Sequence, residues 1–273
     1  MTTLFDKAAR FKALHAGPEP FLIANAWDAG SARLLAGLGF AALATSSAAS
    51  AGILGRRDGQ INRDELLGQV RSIAQATDLP LSADLEKGFA DDPAGVAETI
   101  RLAAEAGLCG GSIEDATGDP DAPLFPFELA VERVAAAARA ARELPYAFTL
   151  TARTENFLCG NPDLADTIRR LQAFERAGAD VLFAPGLPDL ESVRAVCAAV
   201  RAPVNFMVAI PGRSWSVAEL AAAGVRRISL ASSLYRAAMS GLLDAAREAR
   251  EHGTFGFLDR IAASSELARV MGI

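Results

Sequence analysis

Short apolar stretches alternate with alanine-rich stretches along the whole chain, and this alternation restricts the fold more than any other feature. Apolar runs of strand length fall at 21–26 (FLIANA), 41–46 (AALATS), 79–85 (LPLSADL), 109–115 (CGGSIED), 147–153 (AFTLTAR), 180–185 (DVLFAP), 203–208 (PVNFMV) and 227–232 (RISLAS). Between them lie helical patterns such as NRDELLGQVRSIAQAT, DPAGVAETIRLAAEAG and PFELAVERVAAAARAARE. Several open on Asn, Asp or Asp-Pro and close at Gly, the residues that satisfy the free amides and carbonyls of helix ends. Eight strand–helix units in 273 residues point to an α/β chain folded as a (β/α)₈ barrel. A doubly wound open sheet is the alternative, but no Gly-x-Gly-x-x-Gly follows the first strand, which argues against dinucleotide binding. No linker or compositional break interrupts the pattern, so residues 1–273 are expected to form one domain. An N-terminal helix precedes the barrel, and a helical extension follows residue 252.

The bulk properties exclude several classes. The net charge is −6, which gives nucleic acid or an anionic membrane no electrostatic attraction. No apolar run reaches the roughly 18 residues of a membrane span. The first residues, MTTLFDKAARFKALHAG, read as an amphipathic helix rather than a secretory leader. Cys109, Cys159 and Cys197 are scattered, with no disulfide or zinc spacing, which suits a reducing cytoplasm. A cytoplasmic enzyme working on a small molecule is the expectation.

In a barrel, catalytic groups stand at the C-terminal ends of strands, and the polar residues of this chain gather there. The first strand ends in Asn25 and Asp28, the second in Thr45, Ser46 and Ser47, and the third in Asp84 and Glu86. The fourth ends in Glu114 and Asp115, the fifth in Arg153 and Glu155, and the seventh carries Asn205. Alternate strand residues point the same way, so Asp84 and Glu86 can share the barrel mouth with Glu114 on the neighbouring strand. Charges about 6 Å apart at an effective dielectric near 20 repel by roughly 3 kcal/mol, or about two pKa units per pair. Such a trio must take up protons, meet cations or hold a metal. All-oxygen ligands without His or Cys select Mg²⁺, with Mn²⁺ as the alternative. The other reading is that the three are solvated turn and cap residues.

Arg153, following an apolar strand, would be a costly buried cation without an anion; a substrate carboxylate fits its planar fork, as would Glu155 or Glu114. Ser46 and Ser47 offer hydroxyl and amide donors, or simply form a turn. Lys87, if the strand continued, would point away from the acids. His15 and His252 lie in helical segments and are expected to be structural.

At these positions the chain resembles the phosphoenolpyruvate mutase/isocitrate lyase superfamily. The matching stretches, in order, are NAWDAGSARLLAGLGFAALATSSAASAGILGRRDG, SADLEKGF, GGSIED, TARTENF and FERAGADVLFAPG. The resemblance implies a (β/α)₈ barrel whose last helix is exchanged between subunits of a dimer or tetramer. It also implies a Mg²⁺-bound 2-oxo acid and cleavage of the adjacent bond. Asp84 matches the direct metal ligand, Glu86 and Glu114 the groups that hold the metal's waters, and Asp58 in GRRDG another acid of that shell. Ser46 and the Ser47 backbone, beside Thr45, match donors to the substrate carboxylate. Arg153 matches its second anchor, and Asn205 a ligand for a distal carboxylate.

Two departures bear on function. Asp84-Leu85-Glu86 stands where the family usually has Asp-x-Asp. The segment after the fourth strand, IEDATGDPDAPLFPFE, lacks the Lys-Lys/Arg-Cys-Gly-His motif of the lyases and the lysine of the mutases. The expected chemistry is therefore Mg²⁺-dependent cleavage of a 2-oxo acid or dicarboxylate through a metal-stabilised enolate, with oxaloacetate decarboxylation favoured because departing CO₂ needs no proton. The alternatives are phosphonopyruvate mutase or hydrolase chemistry, and a 2-oxo acid binding protein with little catalysis.

Overall fold

The computed structural model describes residues 2–273. Eight parallel strands close into a barrel in chain order: β1 (Phe21–Asn25), β2 (Leu43–Ala44), β3 (Leu81–Asp84), β4 (Gly110–Glu114), β5 (Thr149–Arg153), β6 (Val181–Phe183), β7 (Val204–Met207) and β8 (Arg227–Ser229). The ring is sealed by the pairing of Phe21 with Arg227 and of Ile23 with Ser229. Every strand of the sequence reading is present, but β2, β6 and β8 are only two or three residues long. The polar residues after them leave the ladder: Thr45 and Ser46 bend away to start a short helix that the sequence pattern did not reveal.

The helices are α1 (Leu4–Ala16), α2 (Ala29–Gly37), α3 (Ser47–Gly52), α4 (Arg63–Ala76), α5 (Pro93–Glu105), α6 (Phe127–Glu143), α7 (Leu164–Ala177), α8 (Leu190–Ala199), α9 (Val217–Ala222), α10 (Ser233–Arg247) and α11 (Ser264–Met271). Their starts follow the sequence. Asn62 and Glu65 form a capping box at α4, and Asp92 accepts from the Gly95 amide ahead of Pro93 at the first position of α5. Each such cap contributes about 1 kcal/mol. Leu66, Leu67, Val70 and Ile73 of α4, and Val96, Ile100 and Ala103 of α5, are buried against the strands.

Helix α1 plugs the N-terminal end of the barrel, where Phe11 packs with Ala8, Ile23, Ala42 and Cys109. Only glycine fits at 110, because a Cβ there would lie 2.8 Å from the Phe11 ring and 2.6 Å from the Thr149 carbonyl. With that end stoppered, the C-terminal end is the open one. At the far end of the chain, α11 turns back onto α2, with Val270 against Gly37. In contrast, α10 buries none of its residues.

Candidate active site at the barrel mouth

Three neighbouring strands end in the groups singled out from the sequence. The register pairs Asp84 with Ser112 and Glu114 with Arg153, so the side chains of Asp84, Glu114 and Arg153 converge. The guanidinium of Arg153 is the hub. Its Nη1 lies 3.6 Å from Asp84 Oδ2 and 3.4 Å from Glu114 Oε2, and its Nε donates to Glu155. Asp84 is fixed from three sides: Ser47 Oγ donates to its Oδ2 at 3.1 Å, the Glu86 amide donates to its Oδ1 at 3.2 Å, and its own amide donates to Thr45 Oγ1 at 3.2 Å.

Glu86 sits in the left-handed region at φ +51°, a conformation that costs a non-glycine residue about 1 kcal/mol or more. The twist ends β3 and turns the carboxylate into the mouth, where its Oε1 is buried without a hydrogen-bond partner. Strain and an unsatisfied oxygen in one residue mark a position shaped for something other than stability.

The mouth cavity, about 580 Å³, is lined by four carboxylates (Asp58, Glu86, Glu114 and Glu155) and two cations (Arg153 and Lys87), with Asp84 directly beneath. The excess of negative charge shows in the titration of these groups. Burial, then Asp84 and Asp58, push Glu86 up to about 7. Burial likewise holds Glu114 well above its usual range, although Arg153 opposes it. Arg153 stays firmly charged because Glu155, Glu114 and Asp84 outweigh the effect of its own burial. Acids that cannot all ionise together, one with a free oxygen, suit a divalent cation. Among the described residues no three His, Cys, Asp or Glu side chains converge as a preformed metal cage. Mg²⁺ does not require one, since it binds through one or two carboxylates and keeps several waters. The residues therefore fit such an ion.

The segment after β4 folds over this mouth as a tight loop, with the Phe125 amide on the Asp115 carbonyl and Ala116 bridged to Leu124. Three cations that the sequence reading left without a role in the site secure it. Lys87 does not point away: its Nζ donates to the Thr117 carbonyl at 2.9 Å and to Asp91 at 2.6 Å, because the left-handed turn at Glu86 breaks the strand alternation. Arg170 spans Asp115 and the Phe125 carbonyl. Arg133, fully buried, caps the carbonyls of Lys87, Ala90 and Asp91 and lies 4.0 Å from the Phe125 ring centroid. In sequence, Arg133 and Arg170 are merely two of many arginines on amphipathic helices.

The remaining candidates surround this hub without bonding to it. Asp58 is exposed at the rim. Ser46, Asn205 and Arg153 line a small void inside the barrel. Asn205 uses both ends of its amide there, accepting from Arg227 Nε at 2.9 Å and donating to Ser229 Oγ at 3.0 Å. Burial pushes the Cys159 thiol up to about 11, so it offers no thiolate at neutral pH. A cleft of about 680 Å³ at the opposite face, beside α1, contains no comparable cluster; chemistry rather than size locates the site.

The sequence profile described as phosphoenolpyruvate phosphomutase matches residues 11–250. The chain belongs to that family. It is thus an enzyme of the isocitrate lyase/phosphoenolpyruvate mutase superfamily of lyases and mutases. The oxaloacetate decarboxylase of Chromohalobacter salexigens is 29% identical over 248 residues, covering 88% of this chain and 84% of that protein. The 2-methylisocitrate lyase of Escherichia coli is 30% identical over 210 residues, covering 74% and 70%. A crystal structure of a lyase/mutase candidate from Burkholderia cenocepacia J2315 superposes with a TM-score of 0.96 at 51% identity, covering 99% of this chain and 97% of that one.

Proposed function

We propose that this family member is a Mg²⁺-dependent lyase of 2-oxo acids or dicarboxylates, with oxaloacetate decarboxylation the favoured reaction. The observation that carries the reading is the pairing of an acid-rich mouth around Arg153 with a covering loop, residues 115–125, that contains no Lys, Cys or His. Asp84 would hold the ion directly, with Glu86 and Glu114 acting through its waters and Asp58 at the rim; Mn²⁺ would serve the same ligands. Bound there, the ion would draw electrons from the 2-oxo carboxylate and ease formation of an enolate.

The protein's own groups supply the rest. Arg153, with its planar fork, anchors a substrate carboxylate. The Ser46 hydroxyl and Ser47 amide, supported by Thr45, complete that anchor. Cleavage sends the bonding electron pair into the enolate and releases CO₂, and solvent then protonates the carbon. Lys87, which tethers the loop, has its ammonium spent on Thr117 and Asp91, so no acid–base residue is assigned. Names borne by relatives, oxaloacetate decarboxylase and 2-methylisocitrate lyase, support this class. Asn205, engaged with Arg227 and Ser229, would reach a distal carboxylate only by giving up one of those bonds.

The exposed Met239, Leu242, Leu243, Phe255, Leu258 and Ile261 of the C-terminal segment support a homo-oligomer, dimer or tetramer, in which the extra C-terminal helix after residue 252 would be exchanged between subunits. Among the described residues no helix is long and apolar enough to cross a membrane, and the three free cysteines suit the cytoplasm.

The test is turnover by purified protein with Mg²⁺ of oxaloacetate, 2-methylisocitrate and phosphonopyruvate, against a protein-free blank and Asp84→Asn. Pyruvate formation above the blank, lost in the variant, is the expected result. A phosphorus NMR signal of P–C cleavage would move the assignment to phosphonate chemistry. Tight binding of 2-oxoglutarate or oxalate without turnover of any candidate would make it a binding protein.

A further inference from the structure

The mouth is framed by residues that never touch its cavity. Asp115 follows Glu114 at the end of β4 and is 2% exposed, and Arg170 lies on α7 at 7%. Neither lines the cavity, whereas Glu114, Ala116, Arg153 and Glu155 around them do. A buried ion pair is weak evidence for stability, because desolvating both ions offsets most of their attraction. What this pair holds in place therefore matters more than what it contributes to folding.

Every polar atom of Asp115 is committed, and to two different parts of the site. Its Oδ1 accepts from the Glu155 amide at 2.8 Å, its Oδ2 accepts from Thr154 Oγ1 at 2.9 Å, and its own amide donates to the Arg153 carbonyl at 3.2 Å. These bonds fix the backbone on both sides of Thr154, and the Glu155 carboxylate placed by them receives Arg153 Nε. The Asp115 carbonyl instead accepts from the Phe125 amide at 2.8 Å, which closes the covering loop.

Arg170 ties the two parts together. Its Nη1 lies 3.0 Å from Asp115 Oδ2 and 3.2 Å from the Phe125 carbonyl, so one nitrogen bridges the carboxylate behind Arg153 and the last residue of the loop. Its Nε donates to Asp166 Oδ2 at 3.0 Å, which Asn156 Nδ2 also reaches at 2.9 Å. Charge-assisted bonds of this kind are about twice as strong as neutral ones. Arg169, one residue earlier, pairs with the same Asp166 from the exposed side and makes no bond to Asp115.

We infer that Asp115 and Arg170 are positioning residues that couple the covering loop to Arg153, so that the seated loop and the aligned guanidinium are two ends of one bonded unit. The inference rests on the reading of Arg153 as the anchor of a substrate carboxylate. Unseating Phe125 frees Arg170 and loosens Asp115, and Glu155 then no longer holds Arg153 in line. A misplacement of about 1 Å can cost as much as a hundredfold. Here it falls on an anchor that holds substrate and transition state alike, so the loss belongs to KM rather than kcat.

The experiment compares wild type with Arg170→Met, Arg170→Lys and Arg169→Met as full chains, by amide hydrogen exchange and by kinetics with oxaloacetate and Mg²⁺. In Arg170→Met the amides of Phe125 and Glu155 should both exchange about tenfold faster, while those of α1 keep their wild-type rates. KM should rise about tenfold with kcat within about twofold. Arg170→Lys should recover part of both effects, and Arg169→Met should match wild type. A fall in kcat at unchanged KM, or the same changes in Arg169→Met, reduces the pair to a structural role and overturns the inference. Faster exchange at Phe125 with Glu155 unmoved, or no change at either, overturns the coupling. If Arg170→Met does not fold, wild-type exchange decides: the two amides should open with one free energy, and separate opening refutes the unit. If wild type turns over none of oxaloacetate, 2-methylisocitrate and phosphonopyruvate, the proposed reaction falls, and the exchange data alone uphold or overturn the coupling.

Discussion

Replacing Glu86 by glutamine should stabilise the metal-free protein at pH 8 while weakening its response to Mg²⁺. The carboxyl of Glu86 is raised from 4.5 to about 7 in the folded chain. Between those values the folded state keeps a proton that the unfolded chain has released, so stability falls as pH rises through that window. At 1.36 kcal/mol per pH unit the ionised form costs roughly 3 kcal/mol; for a partly solvated side chain about 2 is the better figure. Glutamine keeps the shape and the left-handed backbone but carries no charge. For a protein of this size 1 kcal/mol corresponds to about 2–4 °C, so Glu86→Gln should melt about 4–8 °C above wild type at pH 8 in a chelator. At pH 4, where neither form is charged, the difference should vanish. Added Mg²⁺ should raise the wild-type midpoint more than that of the variant, which keeps Asp84 and Glu114. A variant that melts at or below wild type at pH 8, or gains equally at both pH values, would show that charge crowding is not what shapes this residue.

Arg153→Met strands Asp84, Glu114 and Glu155 without their cation, and a urea titration should show a loss of about 3–5 kcal/mol. Arg153→Lys should recover much of that stability but not KM, since an ammonium lacks the planar fork; equal stability of Arg153→Met and wild type would contradict the hub geometry. His15, held at about 3, leaves the unfolded chain to bind a proton that the folded chain refuses as pH falls below about 6.5. Wild type should therefore lose stability from pH 6.5 towards 3 more steeply than His15→Gln, read as the pH dependence of the urea midpoint. Gly37→Ala places a methyl 1.8 Å from the Val270 carbonyl and should displace α11 from α2. Its melting point should drop by several degrees and proteolysis should trim the C-terminal helix, while kcat stays unchanged because the far end of the barrel is undisturbed.

The barrel was legible in the sequence because its cause is local and periodic: eight apolar runs, each followed by a capped amphipathic stretch, can bury their faces together in few ways. The placement of Asp84, Glu114 and Arg153 at one end followed from strand alternation alone, since the period of two survives to the last residue of each strand. Alternation failed where the backbone left the extended region. At Glu86 a positive φ sent Lys87 across the mouth instead of away from it; Gly88 marks a turn nearby, but a glutamate does not announce a left-handed residue. Arg133, Arg170 and Arg227 were equally silent, for a different reason. An arginine on a helix or at a strand start reads as a surface charge until packing shows what surrounds it. The sequence by itself thus determined the fold, the family and the acidic end of the barrel, because each rests on short-range periodicity or ordered motifs. Only the tertiary structure decided which cations tie down the covering loop, and that one of them shares Asp115 with the backbone beside Arg153. Those depend on contacts between residues far apart in the chain.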